Sequence, residues 1–266
     1  MKKLVALFIS ALLVTTTHSF VGKNNEGIPS QRGTQKTILP KKEVPVLCYH
    51  RIRNILPNDG ADMKTYSVTP AAFTAQMKAL HDNGFHSILP DQLYNYIVHN
   101  EPLPPKPVLI TFDDTREEHY RIGAEILKKY GFKGVFFIMT VSINKPGYMT
   151  KIQIKTLSDN GHAIGNHTWD HHRVTKYTPE DWNMQLLKPQ MQLEKIIGKP
   201  VRYFSYPFGL WNTAAVNELK KRSYKLAFQL SDRKPSPNVQ FTVRRMIVAG
   251  GWSASKMMEN MNATFN

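Results

Sequence analysis

Val108-Leu109-Ile110-Thr111-Phe112-Asp113-Asp114 is an apolar run that ends abruptly in two adjacent carboxylates. Its length and composition are those of a buried strand. Burying a charge without a partner is expensive, so two acids closing such a strand call for an explanation. The later segment His167-Thr168-Trp169-Asp170-His171 supplies one. Two imidazoles and one carboxylate make a three-ligand metal site with open positions, and the second carboxylate is left to act as a base. The spacing His-x-x-x-His allows both rings to face one ion. Pairs that use the adjacent His172 would serve the same chemistry. His162, just upstream, is expected in the wall of a strand.

Outward from these segments, short apolar runs alternate with amphipathic ones. Strands are expected over 44–50, 86–89, 108–112, 134–139, 162–166, 201–206, 224–229 and 241–248. Helices are expected between them, over 70–84, 90–97, 117–130, 151–157, 179–197 and 213–221, with a closing one over 253–261. Thr69 reads as a cap, with Pro70 in the first turn. A strand–helix unit repeated about seven times argues an α/β protein with a parallel sheet covered by helices. Closure into a barrel fits better than an open dinucleotide fold, because no Gly-x-Gly-x-x-Gly opens a helix after an early strand. The unusual polar residues also lie just past strand ends: His50, Asp113 and Asp114, His167 and His171, and the turn Tyr206-Pro207-Phe208-Gly209. In a parallel barrel those ends share one face, where loops build the active site. In the last of these, Pro207 fixes the backbone and Gly209 permits a tight turn, which can aim a backbone N–H at a developing oxyanion.

The chain has 266 residues and a formal charge of +15, which favours anionic partners such as envelope polymers. Nucleic acid is not expected, for want of a dense basic stripe interleaved with aromatics. Lys2 and Lys3 precede an apolar run from Leu4 to Val14, and small polar residues follow. That is the layout of a signal peptide over 1–19, too short to leave a stable membrane span. A polar leader over 20–43 is expected next, then one domain over 44–266. The protein is therefore expected to be secreted, periplasmic or in the cell envelope. The single cysteine, Cys48, cannot form an internal disulfide and reads as a small buried residue.

Thr-Phe-Asp-Asp at 111–114, His-Thr-x-x-His at 167–171 and Tyr-Pro-Phe-Gly at 206–209 resemble, in that order, the polysaccharide deacetylase family (the NodB-homology domain, carbohydrate esterase family 4). The resemblance implies a distorted (β/α)7-type barrel from Val44 onward. It implies that Asp113 is the general base, and that Asp114, His167 and His171 bind a divalent metal, usually zinc. It also implies that the Phe208 N–H faces the oxyanion. Three departures stand out. Thr115 replaces the usual Gly after the acids. Ser205 stands where an Arg commonly pairs with the base, leaving Arg116, Arg202, Arg244 and Arg245 as possible substitutes. No His follows His172, so the usual late general acid is missing. The stretch Pro45-Val46-Leu47-Cys48-Tyr49-His50 is similar to the subgroup acting on N-acetylglucosamine exopolymers, which presents a His after the first strand; His50 is the candidate acid. The implied activity is removal of N-acetyl groups from a cell-wall or exopolymer glycan. The same metal chemistry on an O-acetyl, a formyl or a non-sugar amide is an alternative, as is a non-catalytic glycan-binding module. Trp169, Trp211, Trp252 and Tyr206 are candidates for stacking on sugar.

Overall fold

In the computed structural model, residues 42–230 and 238–265 are described. The expected signal peptide, and the expected leader apart from Lys42 and Glu43, lie outside them. Glu43 is held by Arg244, with Nε–Oε1 at 2.8 Å and Nη2–Oε2 at 2.6 Å.

The strands are β1 (Val46–Tyr49), β2 (Arg51–Ile52), β3 (Ser67–Val68), β4 (His86–Ser87), β5 (Pro107–Phe112), β6 (Val135–Ile138), β7 (Ala163–Asn166), β8 (Tyr203–Ser205), β9 (Leu226–Phe228) and β10 (Met246–Ile247). The main sheet runs in the order β10-β1-β5-β6-β7-β8-β9, and β4 also pairs with β5. Every pairing is parallel. A single bridge between Phe228 and Val243 links β9 to the segment that leads into β10. The parallel barrel-like sheet read from the sequence is therefore present.

Both faces of the sheet are covered, which is why its strands read as unbroken apolar runs rather than alternating ones. Side chains still alternate between the faces. Val46, Leu109, Val135, Phe137, Tyr203, Leu226 and Phe228 pack together in the interior. Leu47, Tyr49, Ile110, Phe112, Phe136 and Ile138 pack outward against the helices. The parity carries past the strand ends. His50 is in phase with Val46, and Asp113 with Leu109, so both fall on the interior side at the C-terminal rim. Gly165 allows the same interior to close, since a Cβ there would meet the Phe137 ring at 2.4 Å.

Helix starts follow their local chemistry. The Thr69 side chain accepts from Ala72 N at 3.1 Å, and Thr150 and Gln153 form a reciprocal cap on the helix Lys151–Asp159. Several expectations are corrected. Residues 67–68 form a strand paired with Arg51–Ile52, preceded by a short helix Ala61–Tyr66. Such two-residue strands leave no periodic signal. The stretch 241–248 is not one strand: only Met246–Ile247 is extended in the sheet, after a tight turn at Val239–Phe241. The helices expected over 117–130 and 179–197 contain π-helical turns near their starts, His119–Ala124 and Asn183–Leu187. Among the described residues, no helix is long and apolar enough to cross a membrane.

Phe112 is the hub of the outer core. Its ring stacks on Phe136 at 4.8 Å and on Tyr49 at 5.8 Å, and meets Phe73 edge-on at 5.9 Å. Phe112→Ala should destabilise by about 3–5 kcal/mol, the usual range for deleting a buried aromatic ring. Urea unfolding of the two proteins measures the loss; a shift below about 1 kcal/mol would mean the core collapses into the void.

Candidate active site

Asp113 and Asp114 are adjacent but live in different environments. Asp113 follows the interior parity of β5 and is 1% exposed. Arg245 meets it in a fork, Nη1 to Oδ1 at 2.8 Å and Nη2 to Oδ2 at 2.7 Å. Ser205 Oγ donates to Oδ2 at 3.0 Å and accepts from Arg245 Nη2 at 2.7 Å. Arg245 Nη1 also reaches Thr111 Oγ1 at 3.3 Å, and Nε reaches the Gln229 carbonyl at 3.4 Å. All three guanidinium nitrogens of this buried cation thus find acceptors, which is what makes its burial tolerable. Burial opposes ionisation of Asp113, but the charges of Arg245 and His167 outweigh it and hold the carboxyl well below the usual range. The choice left open among four arginines is settled in geometry. Arg245 occupies the role, while Arg244 pairs with Glu43 and Arg116 stacks on Tyr148 at 4.4 Å. Ser205, read as a gap in the motif, is the hydroxyl that completes the triangle.

Asp114 turns away from its neighbour because its backbone is left-handed, with φ 76°. Its carboxylate meets His167 Nε2 at 3.5 Å and His171 Nε2 at 3.7 Å. One ligand atom from each of the three lies within 4.8 Å of the others. His167 is buried, and its Nδ1 sits 2.8 Å from the Ser205 carbonyl. That bond fixes the proton on Nδ1 when the ring is neutral, leaving an Nε2 lone pair toward Asp114. Nε2 itself is buried with no hydrogen-bond partner, an orphaned acceptor that a cation would satisfy. The donor set, two imidazoles and one carboxylate with an unsatisfied buried nitrogen, fits a divalent metal such as zinc.

His172 does not join them. Its ring is exposed and bonds Asp170 at 2.9 Å. His162 stays in the wall, accepting from Gly134 N at 3.0 Å. On the other side of Asp113, Cys48 Sγ lies 3.8 Å from Oδ2 and 3.9 Å from His50 Nδ1. Cys48, His50 and Asp113 each place one polar atom within 4.8 Å of the others. Burial pushes the Cys48 thiol up, so it stays protonated, and burial likewise pulls His50 below its ordinary range against the pull of Asp113 and Asp114. The His50 carbonyl is fixed by the buried His119, whose Nε2 is 2.8 Å away. Neither Ser205 nor His119 was singled out as a partner; each is an ordinary polar residue until the fold brings it to the rim.

The turn Pro207–Gly209 places Phe208 at φ 59°, with its ring 48% exposed. A Cβ on Gly209 would strike Leu230 N at 2.3 Å, so only glycine fits there. Tyr206 is in the core, its hydroxyl 3.1 Å from the Phe241 carbonyl, and is not available to a sugar. Trp211 is bonded to Gln229 and Trp252 packs on the core, whereas Trp169 is 38% exposed.

Known proteins resemble this chain in sequence and in fold. Residues 100–227 match the polysaccharide deacetylase family model. Over these residues the chain resembles the polysaccharide deacetylase family. It is 26% identical to the poly-β-1,6-N-acetyl-D-glucosamine N-deacetylase of Staphylococcus aureus (strain MRSA252), across 89% of each chain. It is 28% identical to YxkH, a proposed polysaccharide deacetylase of Bacillus subtilis (strain 168), over 83% of this chain and 76% of that one. Among solved structures, IcaB from Ammonifex degensii superposes with a TM-score of 0.67 at 25% identity, covering 78% of this chain and 92% of that one. The Streptococcus pyogenes deacetylase PplD shares the fold, with a TM-score of 0.78 at 23% identity over 86% of this chain and all of that one. The deacetylase family model spans Asp113, Asp114, His167, His171 and Phe208. His50 and Arg245 lie outside the matched residues.

Two outcomes follow from the site. Arg245→Met strands the Asp113 charge in the interior and should destabilise by about 3–5 kcal/mol. A depressed carboxylate contributes stability that is present above its unfolded pKa of about 3.9 and lost as pH falls below it. The variant should lose that acid-range slope, which urea unfolding across pH 2–7 would detect; an unchanged slope would show that Arg245 does not hold Asp113. Separately, His171→Ala should lose most of its bound divalent ion in equilibrium dialysis, while His172→Ala should not. Equal loss in both would mean that the wrong ring has been assigned.

Proposed function

We propose that this deacetylase hydrolyses the N-acetyl groups of N-acetylglucosamine-type residues in an extracytoplasmic polysaccharide, releasing acetate, and that it does so as a metal-dependent enzyme. The observation that carries the reading is the pairing of environments at the rim. A buried, ionised Asp113 held by Arg245 sits beside an Asp114–His167–His171 cluster whose inner nitrogen lacks a partner. The name of the staphylococcal relative motivates the choice of amide and sugar.

Asp114, His167 and His171 would hold the ion. When bound, a divalent metal in such a site acidifies water and polarises a carbonyl. The rest is done by the protein. Asp113, anchored on both oxygens, accepts the proton of the attacking water. The Phe208 N–H, fixed by its left-handed turn, faces the oxygen that gains charge. His50 stands beside Asp113 and is neutral in the resting site because burial disfavours its charge. The proton that Asp113 withdraws can therefore pass to His50 and on to the leaving amine. One proton leaves water and one arrives on nitrogen, and acetate and an amino sugar remain. Export is supported by the Lys2–Ser19 pattern and by the strongly basic charge, which suits an anionic envelope.

Acetate release should be measured on β-1,6-linked N-acetylglucosamine oligomers, chitin oligomers, peptidoglycan and O-acetylated glycans, with zinc or cobalt supplied. Release from the first and none from the O-acetylated set is expected. Asp113→Asn should lower turnover on the order of 10²–10⁴-fold with metal content kept. His50→Ala should slow the amide far more than an acetate ester with a phenolate leaving group, which needs little protonation. Equal loss on both substrates would remove His50 as the acid.

A further inference from the structure

Four planar groups adjoin in a row from the interior to the surface, the ring pairs meeting edge to face. The His167 and His171 rings are 4.8 Å apart, the His171 and Phe208 rings 4.6 Å, and the Arg173 guanidinium lies 4.9 Å from the Phe208 ring centre. The inner end is a buried histidine and the outer end an exposed arginine. Phe208 is the member that needs support. A bulky residue with φ 59° is in a backbone region that costs energy, and half of its ring is open to water. Nothing in the apolar core covers its outer side. Arg173 does so, from a backbone that is itself anchored, because the next residue, Val174, is buried among Trp182, Leu186 and Tyr206. Among the described residues no carboxylate pairs with Arg173, so the ring is its partner.

We propose that Arg173 is a positioning residue: it clamps the Phe208 ring against His171 and so fixes the turn whose N–H faces the reacting carbonyl, and with it the His171 ring plane. The inference rests on the function proposed above for the Phe208 N–H, but the clamp itself is a property of the free protein. Arg173 acts through Phe208 and has no contact with substrate in this role. Because an oxyanion donor serves amide and ester alike, its loosening should slow both. That separates it from His50, whose loss should spare the activated ester.

The test uses the full chain with zinc supplied, and the variants Arg173→Ala, Arg173→Lys, Phe208→Leu and the Arg173→Ala/Phe208→Leu double. Arg173→Ala should lower kcat about tenfold on both the sugar amide and the phenolate ester, a fraction of the loss seen when an oxyanion donor is removed outright. KM and metal content should stay near wild type. Arg173→Lys keeps a cation over the ring and should recover part of the rate. In the Phe208→Leu background, loss of Arg173 should add little, since two residues that act as one unit are non-additive. Hydrogen exchange read by mass spectrometry should show the peptide containing residues 206–210 exchanging faster in Arg173→Ala. An effect mainly on KM that fades with salt, or an undiminished effect in the Phe208→Leu background, would show that Arg173 reads substrate charge and would overturn the proposal. So would unchanged exchange in that peptide. A wild type that releases no acetate from any substrate would sink the proposed function alone, because the exchange measurement still reports on the clamp.

Discussion

The pair between Asp113 and Arg245 is the constraint on which the rim depends. Buried ion pairs contribute little net stability, because desolvation offsets their attraction. The importance of this one lies in what it joins. Asp113 and Thr111 belong to β5 and its end, Ser205 to β8, and Gln229 follows β9. The guanidinium that bonds all four sits just before β10. The ladder is thin there: β10 has two residues, and one bridge connects its approach to β9. A side chain with rigidly forked donors compensates for the missing backbone bonds across this seam. It also keeps Asp113 ionised in an interior that would otherwise protonate it.

Two adjacent carboxylates acquire different roles from a single change of backbone hand. Strand parity sends Asp113 inward, and an extended Asp114 would point to the opposite face, into the outer core around Phe112. The left-handed φ at Asp114 turns it back along the rim toward His167 and His171. The acid that stays in phase receives a fixed cation. The one turned out of phase meets imidazoles whose nitrogens can exchange a proton for a metal. His167 shows the competition directly. Burial opposes its protonation, yet the two aspartates prevail and raise its pKa in the absence of an ion. An ion entering the cluster competes with a proton for that ring, so binding weakens as the medium becomes more acidic.

Much of this was legible in the sequence, for identifiable reasons. Strand runs such as 108–112 and caps such as Thr69 are local, and local chemistry predicted them. Polar residues past strand ends identified the rim because parallel topology gathers those ends wherever they lie in the chain. Arg245 was not legible. It lies far from Asp113 in sequence, among four arginines of equal chemical merit, and only the return of β10 beside β1 chooses it. The segment around it misled for a related reason. Its apolar residues match a strand, but Arg244 and Arg245 draw the backbone toward Glu43 and Asp113 instead of into a ladder. Ser205 looked like a deficit because a motif position is read alone, whereas its hydroxyl acts only together with a cation from elsewhere.

The substitution at 115 carries the same lesson into backbone energetics. Asp114, Thr115, Thr168, His171 and Phe208 all have positive φ and all lie in the rim loops. A β-branched residue is poorly suited to φ 61°, and glycine would adopt it without strain. Thr115 holds the loop by one bond that glycine cannot make and one that it can. Its hydroxyl accepts from Met139 N at 2.7 Å, and its carbonyl accepts from Met149 N at 2.9 Å. These tie the loop after the acids to the end of β6 and to the segment before the helix Lys151–Asp159. Glycine would remove the strain but also one of the two ties, and would widen the unfolded ensemble. Strain of this kind persists only where the surroundings over-determine the conformation. Here the surroundings do so by side-chain bonds, so the loop that carries Asp114 is held to geometry by its own neighbours rather than by the permissiveness of a glycine.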